Sequence, residues 1–169
     1  MNKFNGFSLW LFIFTISPVL WATDSNLRSF YTDLKDCQVI DEGEERRWSV
    51  RECPPQGGYQ LFVHYADQKN WLVIKQANEV VINLRQDILN KTPGDFPKIP
   101  GPIEWRVQEE SLIALIFQIL SEDQYVTPPE MKSQWFVVGL EGNKGCLIGT
   151  TDSNEKAREM VNSNCVCGC

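Results

Sequence analysis

Histidine occurs only once in this chain, at position 64. Any Ser-His-Asp or Cys-His catalytic set must therefore run through His64, and a zinc site built on histidine pairs is excluded by count. His64 lies in the middle of an apolar run, on the side shared by Gln60 and Phe62, and next to no nucleophile motif. It reads as a partly exposed strand histidine, and at most as part of a binding surface. There is no glycine-rich phosphate loop, no calcium loop and no basic-aromatic stripe, so nucleotide, calcium and nucleic-acid signatures are all missing. Positive charge is also in deficit, with 16 lysines and arginines against 22 acidic residues. That balance disfavours nucleic acid and anionic membranes, tolerates a basic partner and keeps an exported protein soluble. No segment repeats at a fixed period, and no tract is of low complexity.

Charge is absent again between Lys3 and Asp24, where Phe7–Trp21 is almost continuously apolar, with Pro18 near its end and Ala22 behind it. A short basic start, an apolar centre and a small closing residue describe a secretory signal peptide over residues 1–22. Leu20 is larger than the residue usual three positions before a cut. Pro18 and the polar Asn5, Ser8, Thr15 and Ser17 weaken the rival reading, an uncleaved anchor over Phe4–Ala22. The first cysteine is Cys37, too far on to serve as a lipid attachment point. The remainder, residues 23–169, is about 147 residues long and is expected to form a single disulfide-braced β-rich domain in the periplasm or outside the cell.

All six cysteines (Cys37, Cys53, Cys146, Cys165, Cys167 and Cys169) fall in that remainder. An even count in an exported chain points to disulfides. Cys37–Asp41 and Trp48–Cys53 look like a hairpin around Glu42-Gly43-Glu44-Glu45. If Cys37 stands opposite Cys53, then Val39 faces Arg51, Ile40 faces Val50, and a bridge at the open end contributes about 3 kcal/mol. The charged tip, with Arg46-Arg47 beside the acids, reads as a solvated end that discourages edge pairing, the alternative being an acidic finger for a basic partner.

The clearest strand signal follows. Tyr59–Ala66 and Trp71–Gln76 are aromatic and β-branched runs around the polar Asp67-Gln68-Lys69-Asn70, and Val80–Leu84 adds a further strand. Ser29–Leu34 reads as a turn-prone lead. The four prolines and two glycines of Arg85–Pro102 read as an extended loop over the surface or an open end of the sheet. Ile103–Gln108 alternates as a half-buried strand does, and the apolar Leu112–Leu120 fits a central strand better than a buried helix. Ser121–Ser133 reads as a second loop, and Gln134–Leu140 with Gly145–Thr150 as a third hairpin. Helix chemistry appears only after Thr150, where Asp152 can cap and Ala157, Met160 and Val161 make a narrow apolar stripe. The expected fold is mainly β, an antiparallel sandwich or open barrel of seven or eight strands with one short C-terminal helix.

Glu104 and Arg106 share one face of their strand, either as a polar anchor of a binding surface or as an ion pair worth at most about 1 kcal/mol if exposed. Trp48, Trp71, Trp105 and Trp135 all fall in strands, where core packing is the default. Two of them on one exposed face would instead suggest a carbohydrate or peptide patch. The tail Cys165-Val166-Cys167-Gly168-Cys169, if extended, points three sulfurs to one side. Such a set could bind zinc or copper, or exchange disulfides, although in an oxidising compartment ordinary bridges form first.

In several short motifs the chain resembles a family of uncharacterised exported proteins from proteobacteria. The motifs are Tyr31-Thr32-Asp33-Leu34 with Cys37, Trp48 leading to Cys53-Pro54, and Gly57-Gly58-Tyr59-Gln60-Leu61-Phe62-Val63. They continue with Ile103-Glu104-Trp105-Arg106, Ala114-Leu115-Ile116, Cys146 and the last helix running to Cys165. The resemblance implies the pairings Cys37–Cys53 and Cys146–Cys165, and it carries no activity. Cys167 and Cys169 depart from its pattern, so any of the three tail cysteines could reach Cys146. The function expected is an exported, non-catalytic binding or envelope-associated protein without a cofactor, one form being an inhibitor of a basic envelope enzyme such as lysozyme. The alternative is a thiol-disulfide or soft-metal-handling protein acting through the tail.

Overall fold

The computed structural model describes residues 27–43, 45, 47–163 and 167, and the expected leader over residues 1–22 lies outside them. Two antiparallel sheets face each other as a sandwich, with no closed barrel. The smaller sheet is a plain meander of β2 (Gln38–Glu42), β3 (Trp48–Glu52), β4 (Tyr59–Ala66), β5 (Lys69–Gln76) and β6 (Glu79–Asn83). In the larger sheet, β1 (Leu27–Thr32) forms the edge beside β8 (Ile103–Gln108). The order then runs through β9 (Ser111–Asp123) and β10 (Glu130–Glu141) to β11 (Lys144–Thr151). Helix α2 (Asn154–Ser163) lies on the outer face of this sheet, with Ala157 and Val161 buried against Ala114, Ile116 and Val137.

Strand alternation explains the core. Leu61 and Val63 of β4 pair with Ile74 and Leu72 of β5, and all four turn inward. From the larger sheet Trp105, Phe117 and Phe136 enter the same space, each fully buried. Phe117 stacks on its cross-strand partner Phe136 at 5.5 Å, and Phe30 on Trp105 at 6.2 Å. Burying side chains of this size contributes about 2–3 kcal/mol each. Trp105 also satisfies its one donor, giving its Nε1–H to Thr32 Oγ1 at 2.9 Å.

The structure departs from the sequence expectation in several places. Among the described residues it forms eleven strands, not seven or eight. Leu27–Thr32 is a strand, not a turn-prone lead, because its hydrogen-bonding partner is β8, far away in sequence. The proline-rich stretch is not simply an extended loop. It holds helix α1 (Arg85–Lys91), which buries Ile88, and strand β7 (Asp95–Lys98), which pairs with the end of β9. The second loop shrinks because β9 runs on to Asp123 and β10 starts at Glu130. Val39 does face Arg51, but a bulge follows and puts Asp41, not Ile40, opposite Val50. Ser153, not Asp152, caps α2: its Oγ accepts the backbone N–H of Lys156. Asp152 instead accepts from the Lys156 ammonium at 2.9 Å.

Cys37 and Cys53 are bonded, at the open end of the hairpin. Cys146 is bonded to Cys167 instead of Cys165. The Cα atoms of that pair are 5.4 Å apart, inside the narrow range a disulfide permits. With α2 continuing through Ser163, Cys167 is the tail cysteine that returns to β11, while Cys165 and Cys169 lie outside the described residues. Two disulfides are the mark of an oxidising compartment. No helix among the described residues is long and apolar enough to cross a membrane.

Candidate binding cleft

Every second residue of the smaller sheet points toward its partner sheet, but the partner does not cover all of it. The inward residues Leu61, Leu72 and Ile74 are fully buried, whereas on β2 the inward Val39 stays 50% exposed. The uncovered half forms one wall of a cleft of about 460 Å³. Leu34, Val39, Val63 and Ile99 make its apolar surface, Ile99 arriving from the proline-rich stretch. Ser49 and Arg51 of β3, Tyr65 of β4, Asn70 of β5 and Glu42 of β2 add the polar groups. Strand register explains why they converge: Glu42 stands opposite Ser49, Ser49 opposite Tyr65, and Tyr65 opposite Asn70. This is a continuous row of polar side chains across four strands, with Arg51 in the next row between Val39 and Val63.

Among the described residues, the side chains of Arg51 and Glu42 have no ion-pair or hydrogen-bond partner. Most other described arginines are engaged: Arg47 with Glu45, Arg85 over Trp71, and Arg106 and Arg158 around Glu104. Of the cleft residues the sequence marked only Glu42, as part of the charged hairpin tip, and no cleft was expected there. One signal was present, since Trp48-Ser49-Val50-Arg51-Glu52 shows no clean apolar face although it pairs with the strongly apolar β4.

Glu104 and Arg106 are not a surface pair. They lie under α2 on the outer face of the larger sheet, 2% and 8% exposed. Arg158 of α2 closes over Glu104, with Nε donating to both carboxylate oxygens at 2.9 and 3.1 Å and Nη2 donating to Oε2 at 3.0 Å. Ser29 Oγ donates to Glu104 at 2.6 Å and accepts from Arg106 at 2.5 Å, while Arg158 also reaches the Tyr31 hydroxyl at 2.8 Å. The hydrogen bond to Glu104 is the main reason that the Arg158 guanidinium holds its proton more tightly than usual. This network ties α2 to β1 and β8.

His64 lies on the opposite outer surface, that of the smaller sheet, so the three expected binding-surface residues never meet. Burial lowers the pKa of His64, and the Lys75 ammonium lowers it further. Its ring stacks on Trp71 at 5.3 Å, and Arg85 sits over the same indole at 5.1 Å. Trp48 shares this outer face by register and is 42% exposed, with its indole laid over Gly43.

With Cys167 bonded to Cys146, the tail does not present three free thiols. Among the described residues no three histidine, cysteine or acidic side chains are grouped as metal ligands. No family model, curated protein or solved structure matches this chain.

Proposed function

We propose that this is an exported, non-catalytic binding protein whose ligand sits in the cleft on the inner face of the smaller sheet. The observation that carries this reading is the pair of unengaged charges, Arg51 and Glu42, in a half-apolar cleft of about 460 Å³. A cleft of that volume suits a small ligand. Free charged groups on a rigid wall are the orienting contacts that such sites use. Catalysis gains no support there, because the single histidine is on the far side of the sheet, held by Trp71. The narrower form, inhibition of a basic envelope enzyme, rests on acidity, size and compartment alone.

The reading is tested with 1-anilinonaphthalene-8-sulfonate, an apolar anion whose emission rises in a dry site. The native protein should bind it saturably, and Ser49→Trp, which fills the cleft, should abolish the signal while the fold stays intact. Emission that is equally strong in Ser49→Trp overturns the cleft as the binding site.

A further inference from the structure

We propose that the cleft takes a short apolar peptide with free termini, its carboxylate meeting Arg51 and its ammonium meeting Glu42. This rests on the cleft reading above and adds the class of ligand. The two unengaged charges have opposite sign, and they stand on one face of one sheet. Arg51 is opposite Val39, while Glu42 is opposite Ser49, two residues along β3 from Arg51. Same-face neighbours lie about 6.6 Å apart along a strand and adjacent strands about 4.8 Å apart, so the backbone positions of the two charges are on the order of 8 Å apart. An extended chain advances about 3.3 Å per residue, so two or three residues bring a terminal ammonium and a terminal carboxylate to that separation.

The rest of the wall fits such a ligand. Ser49 stands beside the line joining the charges, and Tyr65 and Asn70 continue the same polar row over β4 and β5, so the cleft supplies both donors and acceptors, as a peptide backbone requires. Val39, Val63 and Ile99 supply apolar contact for its side chains. A simple fatty anion would leave Glu42 facing an uncharged group, and a simple amine would leave Arg51 without a partner. The planar guanidinium of arginine also matches a carboxylate in a two-pronged hydrogen bond.

The experiment is a calorimetric titration of the intact, oxidised protein with Leu-Leu-Leu, N-acetyl-Leu-Leu-Leu, Leu-Leu-Leu-amide and octanoate. The free tripeptide should bind, and blocking either end should weaken it by about tenfold or more. Arg51→Gln should abolish the distinction between acid and amide, and Glu42→Gln that between amine and acetyl. Both positions are exposed, so neither change threatens folding. Absence of binding by the free tripeptide, or equal binding of its blocked forms, overturns the peptide assignment. If octanoate then binds in an Arg51-dependent manner, the cleft survives as a site for apolar anions. If no ligand binds and Ser49→Trp leaves the fluorescent probe unaffected, the cleft reading falls as well.

Discussion

The guanidinium of Arg158 straddles the buried carboxylate of Glu104, with three hydrogen bonds between 2.9 and 3.1 Å. This contact joins the last helix to a strand 54 residues earlier in the chain. Glu104 also lies 3.5 Å from Arg106, so one carboxylate compensates two cations, of which Arg106 is almost fully buried.

Removing that carboxylate should therefore be costly. Glu104→Ala leaves Arg106 uncompensated in the interior and is expected to lower stability by about 3–5 kcal/mol. Arg158→Ala should cost clearly less, because its side chain is 41% exposed and water can replace part of the contact. Urea denaturation of the two variants decides the matter. Equal losses would mean that the network is no more than a surface contact.

The pH dependence follows from His64. Burial and the Lys75 charge both oppose protonation of the folded form, so its pKa lies below the ordinary 6.5 that applies to the unfolded chain. Between the two values the unfolded chain binds more protons, and stability rises with pH. The contribution is complete well above 6.5 and is lost as the pH falls through that value. The urea midpoint should be lower at pH 5.5 than at pH 7.5, and His64→Phe should shrink the difference. With a single histidine, one ring resonance reports the midpoint directly by NMR, and a value above 6.5 contradicts the account.

Turn chemistry offers a gain. Glu109 and Glu110 have φ values of 48° and 74°, in the left-handed region that side chains disfavour. The two-residue turn between β8 and β9 is of the kind that Asn-Gly fills with least strain. Replacing the pair by Asn-Gly should raise stability by about 1 kcal/mol. A thermal midpoint that is unchanged or lowered counts against the assigned turn geometry.

Gly94 leads to the opposite expectation. A Cβ there would stand 2.6 Å from the backbone oxygen of Glu122, on the strand that β7 joins. Backbone cannot yield as a flexible side chain does, so Gly94→Ala should cost about 1–3 kcal/mol. Hydrogen exchange should quicken first around Lys98 and Leu120, and a neutral result would argue against this pairing.

Export and bridging are checked together on protein expressed with its own leader. The product should appear outside the cytoplasm, begin at Thr23 and give a non-reducing peptide map linking Cys37 with Cys53 and Cys146 with Cys167. A map joining Cys146 to Cys165 contradicts the tail geometry. A product retained inside the cell with its leader intact contradicts the export reading.

The sequence by itself determined the β class, the hairpins of β4 with β5 and of β10 with β11, and the C-terminal helix. Each of these depends on neighbours close in the chain, where alternation, turn residues and spacing act directly. Tertiary structure decided the rest. β1 exists because β8 offers it hydrogen bonds, and Glu104 is buried because α2 folds back over its strand. The cleft arises because β2 and β3 are left partly uncovered, and among the described residues Arg51 and Glu42 find no partner there. Long-range pairing and the extent of one sheet over another are properties of the packed chain, and no local pattern of residues encodes them.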